Sequence, residues 1–140
     1  MRRRPLRALV PVALLTLVLT AACGSDDPVN PPVETDLSGT YTLVSVTQAG
    51  VTLTPAEGAT GTLTLTKTTY AIDLTIPSPA GPVNTVDNGT YQTDGNTWTQ
   101  ESANAGGFQG VGTFTLVSGT LTVDVTTAGV QVVTVWSQTS

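Results

Sequence analysis

The sequence predicts an all-β domain over residues 37–140: a single up-and-down antiparallel meander of about eight strands that closes into a small barrel, with a β-sandwich as the second architecture. Three observations carry this reading. From Leu37 onward the composition turns to Thr, Val, Leu and Gly, with no 3.6-residue period. Apolar residues then alternate with polar ones, as at Leu63 and Leu65, at Tyr70, Ile72, Leu74 and Ile76, and at Leu121, Val123 and Val125. Turn-forming pairs separate these runs by short links, and an open sheet of so many strands would leave two unpaired edges that closure removes.

The segment ahead of the domain is of another kind. Arg2, Arg3, Arg4 and Arg7 precede a stretch from Ala8 to Ala22 that is apolar apart from Thr16 and Thr20, the layout of a secretory signal. A spanning helix needs about 20 apolar residues, whereas this run is shorter and interrupted by Pro11. Residues 1–22 are therefore expected to be a signal peptide that is removed. The junction Leu19-Thr20-Ala21-Ala22-Cys23 resembles the lipobox of bacterial lipoproteins. That resemblance implies cleavage before Cys23 and diacylglycerol on its sulfur, with acyl chains numerous enough for stable anchoring in a membrane. The competing reading, an ordinary signal followed by a free thiol, leaves a lone cysteine in an oxidising compartment, where it is unusual. Gly24 after the cysteine favours the outer membrane in a host with two membranes, by the family's rule.

Residues 23–36 follow as a lipidated tether, with Pro28, Pro31 and Pro32 and almost no apolar content. A Pro-rich segment of this length reaches roughly 40 Å. Loss of the signal takes all four arginines, leaving Lys67 against ten carboxylates and a net charge of −9. Such a surface repels nucleic acid and anionic headgroups, so no nucleic-acid partner is expected.

Within the domain, strands are predicted near 40–47, 60–66, 69–76, 85–93, 96–101, 108–117, 120–126 and 130–137. Between Leu65 and Tyr70 the apolar parity switches from odd to even. A continuous strand would then turn its buried face to water, so a tight turn is expected at Lys67-Thr68. Further links fall at Pro77 to Pro82, Asp94-Gly95, Gly106-Gly107, Ser118-Gly119 and Ala128-Gly129. The opening Leu37-Ser38-Gly39-Thr40-Tyr41-Thr42-Leu43-Val44-Ser45-Val46 resembles the first strand of lipocalin-like domains, with Tyr41 standing where that family carries a Trp. The resemblance implies a barrel whose closed end is plugged by this aromatic.

The residues exclude much chemistry. The chain has no histidine, so Ser-His-Asp and Cys-His systems cannot be assembled and the common metal sites lose their usual ligand. Neither a metal nor a cofactor is expected, and no enzyme activity. Asp73 and Asp124 fall on the polar parity of their strands, Asp87 and Asp94 read as turn residues, and Glu101 ends a strand. Asp87-Asn88-Gly89 and Asp94-Gly95-Asn96 offer oxygen atoms, but neither has the spacing of an EF-hand loop, and turn chemistry explains both. Thr-x-Thr pairs suggest a hydroxyl array on ordered water, yet such arrays need flat strands and a barrel twists. Threonine is in any case well suited to the wet face of a strand.

The aromatics supply the remaining hint. Tyr70 and Phe114 share parity with core positions, and Tyr91 and Trp98 flank the Asp94-Gly95 hairpin, so these four are the candidate ligand-binding residues. Gly110 and Gly112 share the face of Phe114 and leave either a bend or room inside. A filled core is the expectation for so short a chain, since eight strands can be filled by their own side chains. The function expected first is a membrane-anchored envelope lipoprotein with a lipocalin-like domain that binds a small hydrophobic ligand. The alternative is a protein-interaction module, an adhesin or an inhibitor of a cationic envelope-attacking enzyme such as lysozyme, drawn in by charge.

Overall fold

The computed structural model describes residues 35–104 and 109–139. The signal segment, Cys23, the tether up to residue 34 and the Gly106-Gly107 loop lie outside the described residues. Among the described residues nine strands form one antiparallel sheet: β1 (Gly39–Gln48), β2 (Val51–Leu53), β3 (Thr60–Leu65), β4 (Thr69–Ile76), β5 (Val83–Asp94), β6 (Thr97–Ser102), β7 (Gln109–Val117), β8 (Thr120–Thr127) and β9 (Val130–Gln138). From β3 to β9 each strand pairs with the next, and β9 returns to β1. The result is a closed eight-stranded up-and-down barrel with one short extra strand, β2. Closure by β1 and β9 leaves no second sheet, so the sandwich alternative does not apply.

The extra strand has a simple origin. β1 pairs with β2 from Val46↔Leu53 to Gln48↔Val51 and with β3 from Gly39↔Leu65 to Thr42↔Thr62, so β2 and β3 lie end to end along one flank of β1. Between them the chain swings out through a single 3-10 turn, Pro55–Glu57. Pro55 has no N–H to leave unpaired at the start of that turn. The Glu57 carboxylate accepts hydrogen bonds from the Thr54 backbone N–H and the Thr54 hydroxyl, both at 2.8 Å.

β1 carries a second irregularity. Its register with β9 shifts between Leu43 and Ser45, which turns Val44 outward as an extra residue. Tyr41 and Leu43 therefore point inward on one parity and Val46 on the other, and all three are buried. The parity switch after Leu65 is resolved as the sequence requires: β3 ends, Lys67 and Thr68 form the tip, and Thr66 N–H donates to the Thr69 carbonyl across the turn.

Apolar side chains line the inside, and threonines dominate the outside, where Thr42 faces Thr62 and Thr115 faces Thr122 across neighbouring strands. This is the reverse of a membrane β-barrel, which turns an apolar band outward.

One end of the barrel is packed shut. Leu37, Tyr41, Leu121 and Trp136 are its largest fully buried side chains. The Tyr41 hydroxyl donates to the Leu37 carbonyl at 2.8 Å, and the Tyr91 hydroxyl donates to the Thr66 carbonyl at 2.6 Å. The first bond pins the entering chain across the end, and the second ties the β3–β4 turn over it. The last described residue belongs to the same end, for Thr139 N–H donates to the Thr40 carbonyl.

Candidate functional site

The barrel is not filled throughout, contrary to what so short a chain suggests. Above the packed end lies a cavity of about 360 Å³, within the range of small-molecule sites. Its floor is aromatic, made by Tyr70, Trp98 and Trp136, with Leu63 beside them. Its walls are mainly aliphatic, with Val123 and Val125 from β8 facing Ile72 and Leu74 from β4. At the other end Gln48, Ile76, Ala128 and Val130 form the rim, three of them well exposed, so the cavity meets solvent there. The β8–β9 hairpin at this rim turns tightly through Ala128-Gly129, both with positive φ.

Two inward-facing glycines let neighbouring strands approach closely. An added Cβ at Gly112 would lie 1.8 Å from the Asp124 carbonyl oxygen, and one at Gly89 would lie 2.0 Å from that of Glu101. At both points adjacent backbones approach too closely for any side chain, as at the corners of a small barrel.

The four residues chosen from sequence divide into two pairs. Tyr70 and Trp98 line the cavity. Tyr91 and Phe114 do not: both are buried beneath its floor and act as support. Tyr91 stacks on Trp98 with centroids 4.5 Å apart and planes 10° from parallel, and Phe114 meets the same indole edge-on at 6.3 Å. Trp98 Nε1 donates to Gln100 Oε1 at 2.9 Å, so the indole is fixed by stacking below and a hydrogen bond at its edge. Trp136 is held by a hydrogen bond of its own, donating from Nε1 to Thr134 Oγ1 at 2.8 Å.

Asp87 overturns its assignment as a turn residue. The run Asp87-Asn88-Gly89 lies inside β5, and Asp87 points into the barrel, 3% exposed, on the cavity wall. Its carboxylate accepts from the Tyr70 hydroxyl at 2.8 Å, from Asn104 Nδ2 at 2.8 Å and from the Ser102 hydroxyl. Burial, then the bond to Asp87, holds the Tyr70 hydroxyl well above the usual tyrosine range in its titration. Among the described residues no side-chain cation balances this carboxylate. Lys67, the single basic residue among those described, sits in the β3–β4 turn at the packed end.

The arrangement is suited to holding a small apolar molecule against a rigid aromatic floor, with one acidic group on the wall. Among the described residues no cluster of acidic or cysteine side chains is grouped to hold a metal ion.

No protein-family model matches the chain, and no curated protein matches it. Among solved structures, the barrel is similar to a de novo designed fluorescence-activating β-barrel, at 17% identity and a TM-score of 0.46, over 73% of this chain and 93% of that one. It is also similar to a mutant of the fluorescent protein UnaG, at 12% identity and a TM-score of 0.38, over 74% of this chain and 96% of that one.

Proposed function

We propose that this chain is an exported envelope lipoprotein, anchored through Cys23, whose barrel binds a small hydrophobic molecule. The observation that carries the binding reading is the apolar cavity, open at one end, on a floor of two fixed indoles. A packed interior would have served an interaction module equally well; a preformed apolar cavity is the feature that a ligand needs. The chain enters the barrel at the packed end, so a tether leading back to Cys23 would leave the mouth on the far side from the membrane.

Native mass spectrometry of the full chain purified from its own host tests the binding reading, with a co-purified small molecule as the expected result. A homogeneous empty protein, with tryptophan emission unmoved by any apolar probe, would refute it. Both tryptophans of the chain line the cavity, so occupancy must alter their emission. Anchoring is tested separately by growing the host with labelled palmitate. Label should enter the protein and be lost in Cys23→Ala; an unlabelled wild-type protein would sink the lipoprotein reading alone.

A further inference from the structure

We infer that the cavity selects apolar ligands that carry a protonated amine, with Asp87 as the group that receives it. This rests on the binding reading above and narrows its ligand class. Among the described residues the cavity is otherwise uncharged: its remaining polar groups are amides and hydroxyls, two of them already used to fix Trp98 and Trp136. Asp87 is the single acidic residue on the wall among those described, and Lys67 lies at the packed end.

The carboxylate is also prepared for a further donor. Oδ1 accepts from Ser102 and Asn104, whereas Oδ2 accepts only from Tyr70. A carboxylate offers about four acceptor positions, so Oδ2 retains one. The three existing donors fix the group in place, and Gly89, two residues on along β5, keeps β5 and β6 close enough for Ser102 to reach it. A buried carboxylate without a counter-ion is costly, and an ammonium brought in by a ligand would supply the missing charge. The same field works against acids. A fatty acid would place a second carboxylate in a low-dielectric cavity that has no cation to hold it. The acidic surface of the domain reinforces the choice by drawing cations toward the mouth.

The test uses three ligands with one apolar body, 4-phenylbutylamine, 4-phenylbutanol and 4-phenylbutanoate. Each is titrated calorimetrically into the full chain held in an amphiphilic polymer, with the polymer alone as blank. The amine should bind about tenfold or more tighter than the alcohol, as expected for a hydrogen bond to a charged group, and the acid should bind weakest. In Asp87→Asn the amine and the alcohol should bind alike. Tyr70→Phe frees Oδ2 of its one partner and should raise the preference for the amine several-fold, an arm that does not depend on Asp87→Asn folding. An alcohol or acid that binds the wild type as tightly as the amine overturns the inference and leaves the binding reading standing. If none of the three binds and the host protein carries no ligand, the binding reading itself falls.

Discussion

At the scale of single residues, the tyrosines are the most constrained groups in the barrel. All three in the chain are buried, and each donates its hydroxyl to a named acceptor: Tyr41 to Leu37, Tyr70 to Asp87 and Tyr91 to Thr66. Burial raises each titration, pushing Tyr91 up to about 12, with the carboxylate of Asp36 adding to it. A folded-state pKa above the unfolded value of about 10 means that the unfolded chain gives up protons first. The stability these hydroxyls contribute is therefore complete below about pH 10 and is lost as pH rises through the folded values. Spectrophotometric titration should show no tyrosinate forming at the ordinary tyrosine pKa, followed by joint ionisation as the barrel opens. Tyr91→Phe should cost about 1 kcal/mol near neutral pH and flatten the alkaline loss; a normal titration of any one tyrosine in the native protein would contradict this. Asp87 shows how far such roles were legible beforehand. Asp-Asn-Gly is strong turn chemistry, and that local signal hid the register. Stepping back by twos from Tyr91 places Gly89, Asp87 and Thr85 on the inward parity, which is where the structure puts them.

At the scale of elements, the strands were readable because the buried face is single and the alternation strict. Leu63 and Leu65, Tyr70 through Ile76, and Leu121 through Val125 each declare one inward face, and the turn pairs mark the ends. What escaped lies where that rule is broken. β2 is three residues long and follows a hairpin at Ala49-Gly50, and the 3-10 turn after it has no buried residue to give it a period. Trp136 escaped for the opposite reason. β9 carries Val130, Val132, Val133, Val135 and Trp136 on both parities, so the indole's side could not be chosen from sequence. The glycines of β7 allow a sharp test of the corner geometry. Gly112→Ala sets a methyl against the Asp124 carbonyl, a backbone atom that cannot step aside, and should destabilise by about 3 kcal/mol or more. Gly110→Ala meets the side chains of Thr127 and Gln100 at 3.1 and 3.3 Å, which can move, and should stay within about 1 kcal/mol. Urea denaturation of the two variants checks the contrast, and equal losses would mean that the bend is not where the backbones meet.

At the scale of the whole molecule, the barrel divides its interior between two uses. The packed end holds the fully buried Leu37, Tyr41 and Leu121, and the other end forgoes that packing to keep a cavity. Space left in a core lowers stability relative to a filled one, and binding sites commonly carry that cost. The two ends should therefore respond to mutation in opposite ways. Leu121 has no exposed surface and does not touch the cavity, so Leu121→Ala should cost about 2–5 kcal/mol and leave ligand affinity nearly unchanged in the fraction that stays folded. Val125 stands on the cavity wall, and its cross-strand partners, Gly112 and Val132, are small. Val125→Phe should fill that space with apolar surface, adding about 1 kcal/mol and raising Tm by roughly 4–8 °C for a domain of this size. The same variant should lower ligand affinity by about tenfold or more, because the volume the ligand needs is then occupied. Thermal melts and calorimetric titrations on the two variants decide the matter together. A Val125→Phe protein that is both less stable and unimpaired in binding would show that the interior is packed differently from the cavity described above, whereas a more stable protein that no longer binds ties the missing stability to the ligand site.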